Sequence, residues 1–203
     1  MVGFEKIESL EFSCPVIKKL YETFHEDSYR PRNLVQIAGG RERAKVKSSR
    51  ILNPSHPANG QNGLFSQQRI SPGSFIIDYI GIVYYYYSPN ENDPGSCVDT
   101  IFQKCLCKRC KAQSEMSEKS DYTLSFLAPY LAIDAGRRGN EARMINDYRG
   151  VAARPNARFD LYLKNGRLRM GVFALNNVSI ERGQEILISY GKSFWSARND
   201  LKG

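Results

Sequence analysis

Two kinds of spacing run along the chain. Between Leu10 and Phe24 the apolar residues Leu10, Val16, Ile17, Leu20, Tyr21 and Phe24 recur at helical intervals, which predicts a short helix with Pro15 near its first turn. From Phe75 onward the pattern changes to short strand-like runs: Phe75 to Ile80, Ile82 to Tyr87, Tyr122 to Leu127, Tyr130 to Ile133, Ala157 to Leu163, Leu168 to Leu175 and Glu185 to Tyr190. Turn-forming groups such as Ser71-Pro72-Gly73, Asn165-Gly166 and Arg182-Gly183 punctuate this half of the chain. Asn165-Gly166, flanked by two such runs, predicts a hairpin whose turn needs positive φ at both positions. The tyrosines Tyr84 to Tyr87 place two rings on each face of a half-buried strand. Pro31 to Gly60 has little periodicity and reads as a linker or loosely draped arm. The expected organisation is therefore an N-terminal flanking segment, 1–56, with one helix and a basic arm. A mainly β domain with short helices follows at 57–203, with a cysteine-containing insert around 88–120.

Composition sharpens this picture in three places. With 203 residues, 41% of them apolar, the chain can build one ordinary domain with a core and a flanking segment. No apolar run is long enough to cross a bilayer and the opening residues lack the order of a signal peptide, so no membrane association and a nuclear or cytoplasmic location are expected. The cysteine count of 5 is odd, which argues against a disulfide framework. Cys97, Cys105, Cys107 and Cys110 leave two readings open: a structural zinc held by four thiolates, or a loop with free thiols. His25 and His56 are the sole imidazoles, which nearly excludes mechanisms built on several histidines. The net charge is +8, and Arg30, Arg32, Arg41, Arg43, Lys45, Lys47 and Arg50 face Glu42 alone. Such a run is either a solvated face or a surface that attracts polyanions, nucleosomal DNA among them.

One ordered series of motifs carries chemistry. It runs Asn62-Gly63-Leu64-Phe65, then Gly73 to Gly81, Tyr122-Thr123-Leu124-Ser125-Phe126 and Ile133-Asp134-Ala135. It continues through Gly139-Asn140-Glu141-Ala142-Arg143-Met144-Ile145-Asn146 and Pro155-Asn156-Ala157 to Gly183-Gln184-Glu185-Ile186-Leu187-Ile188-Ser189-Tyr190-Gly191. The series closely resembles the SET-domain family of protein lysine methyltransferases. The resemblance implies several small, mostly antiparallel sheets, a knot-like crossing of the Asn146 and Tyr190 segments, and S-adenosylmethionine as methyl donor. It implies that Gly63, Leu64, Tyr122, Arg143 and Asn146 serve the cofactor; Asp147, at the position after Asn146, and Trp195, as a lid, are further cofactor candidates. Tyr79, Ile188 and Tyr190 are then expected to line the lysine channel, with Tyr190 and Tyr79 nearest the reaction.

The chemistry suits these residue types. Lysine attacks only as a neutral amine, yet its free side chain titrates near about 10.4. An aromatic-walled channel beside a cationic sulfonium favours loss of that proton through desolvation and like-charge repulsion, with no obligatory general base. Several positions depart from the family pattern. Asp147 stands where a histidine is usual, Gln61-Asn62-Gly63 replaces the usual Gly-aromatic-Gly, and Ile188 has no hydroxyl two places before Tyr190. The family's cysteine-rich tail is not in this sequence, and Phe194-Trp195 is expected either to close over the site or to pack in the core. The expected partner is a protein substrate, with a histone tail as the default; oligomeric state is not encoded legibly. The rival reading is a catalytically weak or inactive peptide- or chromatin-binding module, which Asp147 and Gln61 favour and Asn146 and Tyr190 oppose.

Overall fold

The computed structural model describes residues 4–23, 34–36, 42–85, 120–127, 131–191 and 194–195. Arg30, Arg32, Arg41, Tyr86, Tyr87, Tyr130 and the cysteine insert up to residue 119 lie outside the described residues. In chain order the elements begin with β1 (Glu5–Lys6), β2 (Glu11–Phe12), α1 (Pro15–Thr23), β3 (Val35–Gln36), β4 (Val46–Arg50), β5 (Asn62–Ser66), β6 (Phe75–Asp78) and β7 (Ile82–Tyr85). They continue with β8 (Thr123–Leu127), β9 (Leu131–Asp134), β10 (Arg138–Gly139), a 3-10 turn (Glu141–Met144), β11 (Asn146–Asp147), β12 (Ala157–Lys164), β13 (Arg167–Ala174) and β14 (Leu187–Ile188). The result is a set of small sheets with one described α-helix of ordinary length, as the strand-rich pattern predicts. No helix among the described residues is long and apolar enough to cross a membrane.

The chain divides into two compact units. The first comprises Met1–Gly40, Asp78–Arg143 and Leu161–Met170. In it β2, β7, β9 and β8 form a four-stranded sheet in that order, β2 joining parallel to β7 and the remaining pairs antiparallel. Helix α1 forms because Ile17, Leu20 and Tyr21 fall on one face and are buried, while Pro15 opens the first turn, where its missing N–H costs nothing. The helix opens at Pro15, as expected, and Leu10 lies before it. Glu11 and Phe12 instead extend to pair with Ile82 and Val83, so the apolar spacing straddles a strand and a helix. The Tyr21 hydroxyl donates to the Leu168 carbonyl at 2.5 Å, and burial pushes its pKa up, which keeps the donor protonated.

The second unit comprises Arg41–Ile77, Met144–Asp160 and Gly171–Gly203. Its buried side chains include Leu64, Ile70, Ile76, Val172, Phe173, Ile180 and Ile186, each at most 3% exposed. Strands β12 and β13 each have residues in both units; in the first, Tyr162 and Leu163 of β12 pair parallel with Val35 and Gln36 of β3, and the β12–β13 turn lies there too. The turn between them is the expected one, with φ of 52° at Asn165 and 72° at Gly166.

The reading of Pro31 to Gly60 as a linker or draped arm needs correction. Within it β4 pairs antiparallel with β5 over its whole length, from Val46↔Ser66 to Arg50↔Asn62, and Ile51 and His56 are buried. The segment Val46-Lys47-Ser48-Ser49-Arg50 has too few apolar positions to show alternation. Its strand conformation comes from the backbone ladder, which composition does not reveal.

Candidate active site

The parallel pairing of β11 with β14 sets Asn146 opposite Leu187 and Asp147 opposite Ile188. Asn156 locks this pairing: its side-chain amide donates to the Glu185 carbonyl at 2.7 Å and accepts from the Leu187 N–H at 2.8 Å. The chain then returns to β11 at Tyr190. There the backbone N–H donates to Asp147 Oδ2 at 2.7 Å and the phenol donates to the Ile145 carbonyl at 2.7 Å. With its hydrogen committed, the phenol oxygen can act toward any further group only as an acceptor. Ile188 is buried between these positions in sequence, at 1% exposure.

Asn146 is fixed from the other side. Its Nδ2 donates to Glu185 Oε1 at 2.8 Å and to the Asn62 carbonyl at 3.3 Å. Both amide hydrogens are thereby used, and Oδ1 has no partner among the described residues. Gly63 is required beside it, because a Cβ at that position would lie 2.6 Å from Glu185 Oε1. The other Glu185 oxygen meets His56 Nε2 at 3.0 Å, while His56 Nδ1 accepts the Ala58 N–H at 2.9 Å. That acceptor role assigns the ring hydrogen of neutral His56 to Nε2, where it donates to Glu185. Leu64, at 0% exposure, anchors the strand, and its carbonyl accepts the Ile186 N–H.

Asp147 gathers the end of the chain. Besides Tyr190, its carboxylate accepts the Arg149 N–H at 2.9 Å, the Arg149 guanidinium at 2.9 and 3.1 Å, and the Trp195 indole at 3.3 Å. Burial alone would raise its pKa, but these donors outweigh burial and hold the carboxyl below its ordinary range. Phe194 packs edge-on to Tyr190, with ring centroids 4.6 Å apart, and Trp195 packs edge-on to Phe194 at 5.4 Å.

The remaining expected site residues belong to the first unit. Tyr79 is buried, its hydroxyl donating to the Tyr122 carbonyl at 2.6 Å. Asn140 brackets it by donating to the Asp78 carbonyl at 2.8 Å and accepting the Ile80 N–H at 3.4 Å. The Arg143 guanidinium lies between two rings, 3.8 Å from the Tyr122 centroid and 4.3 Å from that of Phe4, and it donates to the Gly136 carbonyl. Tyr79, Tyr122 and Arg143 thus form one group, and Gly63, Leu64, Asn146, Asp147, Ile188, Tyr190 and Trp195 form another.

Four residues of this framework escape a reading of the sequence by role: His56, Asn140, Asn156 and Glu185. Three of them sit inside quoted motifs, so their positions were visible while their hydrogen bonds were not. His56 lies in the stretch without periodicity and carries no motif signal. Cys97, Cys105, Cys107 and Cys110 lie outside the described residues, and among the described residues no group of acidic, histidine and cysteine side chains is placed to hold a metal.

Comparison with known proteins identifies the family and the fold. A family model for the SET domain matches residues 61–191, and the chain belongs to the SET-domain family. It is similar to the histone-lysine N-methyltransferase ASHH3 of Arabidopsis thaliana, at 25% identity over 129 residues, covering 64% of this chain and 29% of that protein. It is also similar to the Candida albicans histone-lysine N-methyltransferase named as H3 lysine-36 specific, at 28% identity over 137 residues, covering 68% of this chain and 13% of that protein. The chain thus spans less than a third of the length of these relatives. Among solved structures it resembles a chain of Chaetomium thermophilum Polycomb Repressive Complex 2 bound to GSK126. There the TM-score is 0.50 at 20% identity, covering 79% of this chain and 18% of that one, a likeness of fold.

Proposed function

We propose that the chain is a protein-lysine methyltransferase domain that takes its methyl group from S-adenosylmethionine and acts on histone lysines. The observation that carries this reading is the β11–β14 pairing, where the strand of Asn146 holds Tyr190 through its neighbours Ile145 and Asp147, in a member of the SET-domain family. The histone substrate and a nuclear setting are supported by the names of the relatives. The knot-like crossing of the two segments belongs to the same proposal.

The residues fit the methyl donor. The donor carries an ammonium group at its amino-acid end, and Asn146 Oδ1 is an acceptor with no partner among the described residues, backed by the Glu185 carboxylate. Gly63 leaves room for that carboxylate, since a Cβ there would lie 2.6 Å from Glu185 Oε1. S-adenosylmethionine, when bound, supplies a methyl group on a cationic sulfur. Tyr190 presents an acceptor oxygen, held by Ile145, that orients an incoming amine and favours positive charge at the transfer point. Alignment of the reacting groups contributes on the order of 7 to 11 kcal/mol in favourable cases.

Calorimetric titration with S-adenosylmethionine tests this reading. Wild-type protein is expected to bind, and Asn146→Ala to bind at least about tenfold more weakly, about 1.4 kcal/mol. No binding by the wild type at millimolar donor would remove the enzyme and leave the peptide-binding module.

A further inference from the structure

We infer that His56 is a positioning residue for the ammonium end of the methyl donor, acting through Glu185 on Asn146; this rests on the donor reading proposed above. His56 precedes the residues matched by the family, 61–191, and stands in a segment with no recognisable motif.

The Ala58 N–H occupies His56 Nδ1, so the hydrogen on Nε2 goes to Glu185 Oε2 at 3.0 Å. This leaves Oε1 to receive Asn146 Nδ2 at 2.8 Å. An asparagine amide can turn over and exchange its nitrogen with its oxygen. Here the turned form would set Oδ1 against both the Glu185 carboxylate and the Asn62 carbonyl, three acceptors with no hydrogen between them. Glu185 therefore dictates which end of Asn146 stays open, and His56 holds Glu185 in the orientation that does so. The pair is nearly sealed from water, with side-chain exposures of 6% for His56 and 10% for Glu185. Water therefore substitutes poorly for the imidazole donor, and loss of His56 leaves a buried carboxylate oxygen unsatisfied. The same carboxylate places negative charge behind the acceptor, which suits a cationic ligand group.

The distinguishing consequence is chemical selectivity. His56 matters for a ligand that carries the amino group and not for one that lacks it. The test is calorimetric titration of the full chain with S-adenosylhomocysteine and with its des-amino analogue, for wild type, His56→Phe and His56→Gln. Wild type is expected to prefer the amine-bearing ligand. His56→Phe is expected to weaken S-adenosylhomocysteine about tenfold, equal to about 1.4 kcal/mol, and to leave the analogue unchanged. In His56→Gln an amide N–H again faces Glu185 and the preference returns. Glu185→Gln provides a second route should His56→Phe fail to fold, and it too is expected to lose the preference. Equal weakening of both ligands, or no weakening of either, would overturn the role of His56. A wild type that binds neither ligand would instead overturn the donor reading beneath it.

Discussion

Asp147 stands where relatives are expected to carry histidine, and its replacement by asparagine asks what that change does. The two carboxylate oxygens serve different donors. Oδ1 takes the Arg149 N–H, Oδ2 takes the Tyr190 N–H and the Trp195 indole, and the guanidinium spans both. In Asp147→Asn one oxygen becomes an NH2 group, so in either orientation a donor faces a donor. The less costly orientation forfeits the Arg149 N–H, a bond to a charged acceptor of about 1.5 to 3 kcal/mol, and it weakens the others by removing the charge. The guanidinium adds little, at most about 1 kcal/mol, because Arg149 is 39% exposed. A total near 3 kcal/mol corresponds to a fall in Tm of roughly 6–12 °C for a chain of this size.

The pH dependence has a definite sign. The folded carboxyl titrates below its ordinary value, so its contribution is complete above about pH 3.9, the unfolded value, and is lost as pH falls through the lower folded value. Urea unfolding followed by fluorescence of Trp195, the single tryptophan, reports directly on the clasp. The gap between wild type and Asp147→Asn is expected to hold from pH 7 to about pH 4 and to narrow below that. Equal stability at pH 7, or a gap that widens in acid, would refute the reasoning.

Two further substitutions probe the neighbouring groups. Tyr190→Phe loses the bond to the Ile145 carbonyl, so stability is expected to fall by about 0.5 to 1.5 kcal/mol, measured by urea unfolding. On the proposed role of Tyr190 at the transfer point, turnover on a histone substrate is expected to fall about a hundredfold or more. Gly63→Ala drives a methyl against Glu185 Oε1, and Glu185 must move to admit it. Donor affinity measured by titration is expected to drop about tenfold, with a loss of about 1 to 3 kcal/mol in stability.

Much of this was legible in the residues. The strand runs from Phe75 to Leu175 and the turn at Asn165-Gly166 follow from alternation and turn chemistry, which are local properties. The meeting of Asn146 with the Tyr190 segment was accessible through the ordered motif series, since it depends on pairing between distant strands. What stayed hidden was made by hydrogen bonds. Strand β4 is polar and shows no alternation, and His56 offered no pattern at all, yet burial and a single carboxylate tie it to Asn146. Asp147 reads in sequence as an expected cofactor position where the family's usual histidine is replaced. Its contacts also make it the anchor of the segment that carries Tyr190.

The proposed reaction moves a methyl group to a lysine side chain. Incubating the purified chain with isotopically labelled S-adenosylmethionine and a panel of free histones, nucleosomes and cell extract, then locating the label by peptide mass spectrometry, measures it directly. Label is expected on lysine side chains of a histone and is expected to be lost in Tyr190→Phe. Absence of label from every lysine in the panel, in protein that binds the donor, would contradict it.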